Sequence, residues 1–308
     1  MMRVGIAGIG IAATGLEDWP SARQILQRPS TYQPDSALTI NPPDLLPANE
    51  RRRATPLIKQ ALSSAQQAIA HYQATDNLAT VFASACGELM IDDFILQALQ
   101  RPDRPVSPTH FHNSVHNAAA GYYSIAMGSH AASTSLSAYD ASFAAGLLEA
   151  ASQVVVENNH VLLIACDMPP PARLSSFCPL QSAFSCALLL TTDKDESSCA
   201  HIELEIINNP TASERDIRHC RFDFSRTNTT EVEPTIGRAA SSGKLNLQRL
   251  KTMASCSKMD DPDLETLRAS NPAAHSLPLL QQLASHTQAT VTLPYLHDQC
   301  LKIKICPC

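Results

Sequence analysis

No apolar run in this sequence reaches the eighteen or so residues that a membrane-spanning helix needs. Positive charge is also short. The 23 Lys and Arg against 29 Asp and Glu leave a net charge of −6, which argues against the basic surface of a non-specific nucleic-acid binder. Ten cysteines are present, yet none forms a C-x-x-C pair and only Cys306 and Cys308 lie close together. Zinc sites need convergent ligands at recognisable spacings, so no metal is expected. The irregular spacing predicts free thiols in a reducing cytoplasm, most of them filling the core. Around Gly8 and Gly10 the chain reads GIGIAATG, which is not G-x-G-x-x-G, and no acidic residue ends a second strand about twenty residues on. No dinucleotide or other cofactor is expected. The same run, Val4–Ala13, follows a single Arg and reads as a buried first strand instead of a signal peptide.

What is present is an ordinary apolar fraction, 44%, over a length that can bury a full core as one large domain or two modest ones. Arg3–Ala12 predicts a central strand, and residues 29–49 are Pro-rich and irregular. Thr55-Pro56 supplies an N-cap followed by Pro at the first helical position. Leu57, Ile58, Ala61, Leu62, Ala65, Ile69 and Tyr72 follow at helical spacing. A strand over Thr80–Ala85 and an amphipathic helix over Glu88–Gln100 come next. Residues 113–127 predict a helix stopped by Gly128, Ala132–Ser137 a short strand, and Asp140 the cap of a helix running to about Glu157. His160–Ala165 and Ala183–Thr191 are continuous apolar runs, as in strands covered on both faces. His201–Ile207 alternates like an exposed-edge strand, and residues 208–270 are polar with little periodicity, which predicts a partly ordered insertion. Leu277–His286 reads as a short helix, and Ala289–Leu293 with Leu301–Ile305 as a terminal antiparallel hairpin. Alternating strands and helices argue for an α/β fold with helices on both sheet faces. The expected organisation is one half over 1–194, a variable insertion over 195–270, and a completing segment over 271–308.

The chain is organised around Ser107–Ala150, SPTHFHNSVHNAAAGYYSIAMGSHAASTSLSAYDASFAAGLLEA. Its small residues suit close approach of helices and strand in the middle of a layered protein. The strand-to-helix junction at Ser137–Asp140 is where α/β folds commonly place a nucleophile above a helix N-terminus. Ser107-Pro108-Thr109, Phe111 and Ser114–Gly121, then Ser133-Thr134 and Phe143–Ala150, resemble the β-ketoacyl-synthase-like family. More narrowly, they resemble the chain length factors that accompany ketosynthases in bacterial aryl polyene and type II polyketide pathways. Weaker matches are Leu45–Ala48 with Arg51–Arg53, Val81–Ser84 with Gly87–Leu89, and Asn271–Ala274 with Leu277–Leu280. The resemblance implies a thiolase-like layered α-β-α-β-α fold with a reduced second half.

In the ketosynthases that this chain resembles, a Cys at the junction takes the acyl group from a carrier protein. The helix N-terminus favours its thiolate, and backbone N–H groups hold the oxyanion. Counting back from Gly146 places Ala138 at that position, between Ser137 and Asp140, and no cysteine lies between Cys86 and Cys166. An Asp140 carboxylate at the N-cap would set negative charge beside a developing oxyanion. The family's two catalytic histidines belong to second-half motifs, and neither His275 nor His286 has matching surroundings. The resemblance therefore implies a non-catalytic chain length factor in the cytoplasm. It would pair with an active β-ketoacyl synthase and shape the acyl tunnel in polyketide, aryl polyene or fatty-acid-like biosynthesis. In thiolase-like dimers the strand before the nucleophile helix pairs across the interface, which maps to Ala132–Ser137. Tunnel or interface candidates are Phe111, His116, Asn117, Tyr122, Tyr123, Ser133, Ser135 and Ser137. Arg51, Arg52 and Arg53 are candidates for docking an acidic acyl carrier protein. Two alternatives stand beside this: an acyl-transferring or condensing enzyme using Ser137 or Ser142 as nucleophile, and a scaffold that binds a partner without touching substrate. His110, His112 and His116 form H-x-H-x3-H, whose first pair would share a strand face and could bind metal; local hydrogen bonding or interface packing is the simpler expectation.

Overall fold

The computed structural model describes residues 1–36, 38, 45–73, 77–193, 195, 197–209, 256–296 and 298–308. Its strands are β1 (Met2–Ala13), β2 (Ala79–Ala83), β3 (Ser133–Leu136), β4 (Val161–Asp167), β5 (Phe184–Thr191), β6 (Ala200–Asn208), β7 (Ala289–Pro294) and β8 (Gln299–Pro307). They form one sheet in the order β3-β2-β4-β5-β1-β6-β8-β7. β2 runs parallel to β3 and β4, and every other pair is antiparallel. The helices are α1 (Trp19–Gln27), α2 (Ala48–Arg53), α3 (Pro56–Ala68), α4 (Leu89–Leu99), α5 (Pro108–Asn113), α6 (Ala118–Met127), α7 (Ser142–Glu157), α8 (Pro262–Ser270) and α9 (Leu277–Ser285).

Strand alternation divides the core in two. Phe82, Leu162, Ile164 and Leu189 point to the face covered by α3 and α6. Val81, Leu163 and Leu188 point to the other, where α1, α7, α8 and α9 share one cluster with β6, β7 and β8. β4 and β5 are buried on both faces, which explains their unbroken apolar sequence. Thr55 caps α3 as its sequence predicts, accepting from the Ile58 N–H at 3.2 Å.

The glycines of β1 serve packing. A Cβ on Gly8 would lie 1.8 Å from the Ala68 carbonyl oxygen, and one on Gly10 would lie 1.9 Å from that of Ser64. The backbone of α3 therefore rests directly on β1, and side chains lock it there. Gln60 donates to the Ala12 carbonyl at 2.7 Å, and Gln67 Oε1 accepts from Ile11 N at 3.0 Å. A methyl group at Gly8 has only backbone to push against. Gly8→Ala should lower unfolding stability by about 2–3 kcal/mol in urea titration. An unchanged midpoint would mean that α3 is not seated on β1.

Four local expectations need correction. The helix expected over 113–127 starts later, as α6 at Ala118: Asn113 is the last residue of the preceding α5, and Ser114–Asn117 separates the two. Gly128, at φ 61°, ends α6 as expected. Asp140 does not cap α7. It lies in a single 3₁₀ turn, Tyr139–Ala141, and α7 begins at Ser142 behind Ala141 with no side-chain cap. β6 is no edge strand, being paired with β1 on one side and β8 on the other. Its alternation comes from a single open face: Ile202 and Leu204 are buried, while Glu203 and Glu205 meet Lys304 and Lys302 across the ladder at 3.2 and 3.4 Å. Finally, the polar stretch 208–270 ends in α8, whose Leu264 and Leu267 enter the core. Residues 210–255 of that stretch lie outside the described residues.

Candidate functional site

β2, β3 and β4 are mutually parallel, so Ala83, Leu136 and Asp167 end at one edge of the sheet, and the segments that follow them meet there. Asp167, 1% exposed, joins them: its Oδ1 accepts from Ser84 Oγ at 2.8 Å, Ala85 N at 2.8 Å and Cys86 N at 3.4 Å. Its Oδ2 has no hydrogen-bond partner among the described residues. Ser137 Oγ donates to the Ala85 carbonyl at 2.9 Å, and His116 Nε2 donates to that of Ser84 at 3.2 Å. From the far end of the chain, Asn271 donates to the carbonyls of Asp167 and Ser182 at 3.1 and 2.8 Å. His275, 1% exposed, donates from Nδ1 to the Asp140 carbonyl at 2.8 Å.

The junction itself carries Ser137, Ala138, Tyr139 and Asp140. Tyr139 holds a left-handed φ of 49° and is 77% exposed, so the tip of the turn presents a phenol to solvent. Neither serine is prepared to attack. Ser137 gives its proton to a carbonyl, which cannot serve as a base, and no histidine hydrogen-bonds it among the described residues. Ser142, 1% exposed, donates to the Tyr139 carbonyl at 2.7 Å and accepts from Ala138 N at 3.0 Å. The nearby cysteines are no better placed. Burial, then the neighbouring Asp167 and Glu88, pushes the Cys166 thiol far up, and burial pushes Cys186 up to about 12. Cys86 and Cys178 are joined in a disulfide, which corrects the expectation that all thiols are free. Ninety-two residues separate the two, and no spacing rule in the sequence reveals the pair. Cys166 and Cys186 do fill the core as free thiols.

Two buried carboxyls flank this edge. Burial raises Asp167 to about 7 against the opposing bonds from Ser84, Ala85 and Cys86, and Asp140 adds to the rise. Glu88, just before α4, also reaches about 7 through burial, opposed by the hydroxyl that Thr55 donates to its Oε1. Sequence reasoning did not single out Asp167, the Cys86–Cys178 bond or the position of His275. For Glu88 and His275 the signal was the quoted matches at Gly87–Leu89 and Asn271–Ala274; Asp167 carried none.

The remaining candidates separate by burial. Asn117, Ser133 and Ser135 come together, with Gly121, Ser124 and His130, in a groove of about 520 Å³ between α6 and β3. Phe111 is 70% exposed on α5. Tyr122 and Tyr123 are buried in the core instead: Tyr122 Oη donates to Asn113 Oδ1 at 3.2 Å, and Tyr123 meets Phe82 edge-on at 6.0 Å. The three histidines disperse because Pro108–Asn113 is a helix and not a strand. His110 stacks on Phe94 at 5.1 Å, His112 meets Tyr122 at 6.2 Å, and His116 bonds to Ser84. No group of three metal-ligating side chains occurs among the described residues. Arg51, Arg52 and Arg53 occupy the last turn of α2, with Arg51 bonded to the Leu46 carbonyl, Arg52 to Asn49 and Arg53 to Glu50.

Residues 19–221 match the family described as "Beta-ketoacyl synthase, N-terminal domain". No curated protein sequence matches the chain. Among solved structures, a ketosynthase (ApeO) in complex with its chain length factor (ApeC) from Xenorhabdus doucetiae is similar at TM-score 0.65 and 19% identity, covering 99% of this chain and 100% of that one. The ishigamide ketosynthase/chain length factor is similar at 0.69 and 14%, covering 100% and 99%. The AntDE:AntF complex, a type II acyl carrier protein with its ketosynthase, is similar at 0.69 and 11%, covering 100% and 99%. No helix among the described residues is long and apolar enough to cross a membrane. The fold is thiolase-like, and with two thirds of its length matched the chain belongs to the β-ketoacyl synthase N-terminal domain family.

Proposed function

We propose that this chain is a non-catalytic, ketosynthase-like subunit of the chain length factor type. It pairs in the cytoplasm with a catalytically active β-ketoacyl synthase and shapes the tunnel for a growing polyketide, aryl polyene or fatty-acid-like chain. One observation carries the reading: the junction presents Ser137, Ala138, Tyr139 and Asp140, while every described cysteine near it is buried or disulfide-bonded. A condensing enzyme of the family's kind needs a thiolate there.

The surface supports a partner. β3 is bonded only to β2 among the described residues, so its outer edge is open beside the α6 groove. Large apolar side chains stand exposed on the neighbouring helices and just beyond α5, including Phe94, Leu96, Leu99, Phe111 and Val115. Acyl carrier protein is the expected visitor, with Arg51–Arg53 of α2 as its electrostatic approach.

The test is co-expression with a β-ketoacyl synthase from the same genome, one chain tagged, and the mass of what elutes. A one-to-one complex is expected; a stable monomer or homodimer that ignores the ketosynthase overturns the reading. Within the complex, Phe111→Ala should lengthen the product by opening volume in the tunnel wall. Unchanged products from an intact complex would remove Phe111 from that wall. Tyr122→Ala is the poorer probe, because Tyr122 is 1% exposed and its loss would cost about 3–5 kcal/mol of core packing.

A further inference from the structure

The Cys86–Cys178 bond joins two segments that are held very differently. Cys86 follows β2, and its side of the bond is fixed without it: Asp167 accepts from Ala85 N and Cys86 N, Ser84 Oγ from Gly87 N, and His116 bonds to Ser84. Cys178 lies on the loop between β4 and β5. From Pro171 to Leu180 the hydrogen bonds that describe this loop are its own: Leu174 N to Pro171 O, Phe177 N and Cys178 N to Leu174 O, and Leu180 N to Cys178 O. Hydrogen bonds to the rest of the chain resume at Gln181 and Ser182. Arg173 is exposed and Phe177 is 82% exposed, so little burial holds the tip. Segments with few buried contacts and only local bonds open at low free energy.

We propose that Cys86–Cys178 is a reversible redox latch on the 171–180 loop. Closed, it fixes the loop, with Arg173 beside α4 and α5; open, it frees the loop and leaves the Cys86 side in place. The reductant is a low-molecular-weight thiol of the glutathione class. Its thiolate attacks the sulfur of Cys86, which is half-buried where Cys178 is buried, forming a mixed disulfide and expelling the Cys178 thiolate, which takes up a proton. A second thiolate attacks the sulfur of the small thiol in that mixed disulfide, releasing Cys86 as a thiol and the small-molecule disulfide as product. Two small thiols are oxidised as one protein disulfide is reduced, and the small-molecule disulfide drives the reverse. The latch is internal to this chain, so it holds whether or not a ketosynthase is the partner.

The experiment equilibrates the full chain, alone or in its purified complex, in glutathione buffers of varied reduced-to-oxidised ratio. Free thiols are counted by alkylation and mass, near-ultraviolet circular dichroism reports folding, and trypsin cleavage after Arg173 is timed. The pair should open and close reversibly while the protein stays folded, with cleavage after Arg173 at least tenfold faster in the open form. The double variant Cys86→Ser/Cys178→Ser should be cut fast in every buffer. Three results would overturn the proposal: no bond in oxidised glutathione, a bond that opens only with loss of the folded signal, or opening that leaves cleavage at Arg173 unchanged. The wild-type measurements decide even if the variant fails to fold.

Discussion

Unfolding free energy should fall as pH rises from about 4 to about 7, and Asp167→Asn should remove a large share of that fall. Asp167 rises to about 7 from an ordinary 3.8, and Glu88 to about 7 from 4.5, burial being the chief cause in both. Each holds a proton in the folded chain at pH values where the unfolded chain has released it. Stability is therefore fully present below the unfolded values and is lost as pH climbs through the folded ones, with no further loss above. The slope is about 1.4 kcal/mol per pH unit for each proton, so Asp167 alone is worth on the order of 4–5 kcal/mol across the window. Asn at 167 keeps an oxygen to accept from Ser84, Ala85 and Cys86 but cannot ionise. The variant should therefore sit near the wild type at pH 4.5 and well above it at pH 8 in urea titrations of the oxidised chain. Parallel curves for the two proteins would mean that Asp167 ionises as easily folded as unfolded.

Periodic elements were legible in the sequence because each is written locally. The Thr55-Pro56 cap and the apolar stripe to Ile69 gave α3, and unbroken apolar runs gave β4 and β5. What escaped depends on partners distant in sequence. β6 reads as an edge because its half-buried Glu203 and exposed Glu205 are matched by lysines about a hundred residues later. Asp140 has the chemistry of a cap, yet the chain makes a 3₁₀ turn at Tyr139–Ala141 and the helix starts two residues on. The α8 signal was present, since Asp261 caps it through Asp263 N and Leu264 N and Pro262 opens it, but the polar tract before it masked it. At the site, the lack of a cysteine between Cys86 and Cys166 could be read directly, because it needs no geometry. The buried carboxyls and the disulfide could not, because burial and pairing are set by tertiary packing.

Replacing Ser135 with proline should abolish partner binding while leaving the chain folded. β3 offers its main chain to β2 at alternate residues: Thr80 N donates to the Ala132 carbonyl at 3.0 Å and Ser84 N to that of Leu136 at 3.2 Å. In a parallel ladder this leaves the N–H and C=O of Ser133 and Ser135 facing the open side. Proline at 135 removes one outward donor and no bond of the chain's own sheet, a position where edge strands tolerate it. Unfolding stability should stay within about 0.5 kcal/mol of the wild type. Thr134→Pro makes the contrast, for its N–H faces β2 and its loss breaks the native ladder. If a ketosynthase docks by continuing the sheet across β3, Ser135→Pro loses an intermolecular bond and sets a ring against the partner strand. A drop of at least about 100-fold in affinity, near 3 kcal/mol, is then expected in a titration of the two purified chains. Full affinity in Ser135→Pro would move the interface off β3, onto the exposed apolar side chains around α4 and α5 alone.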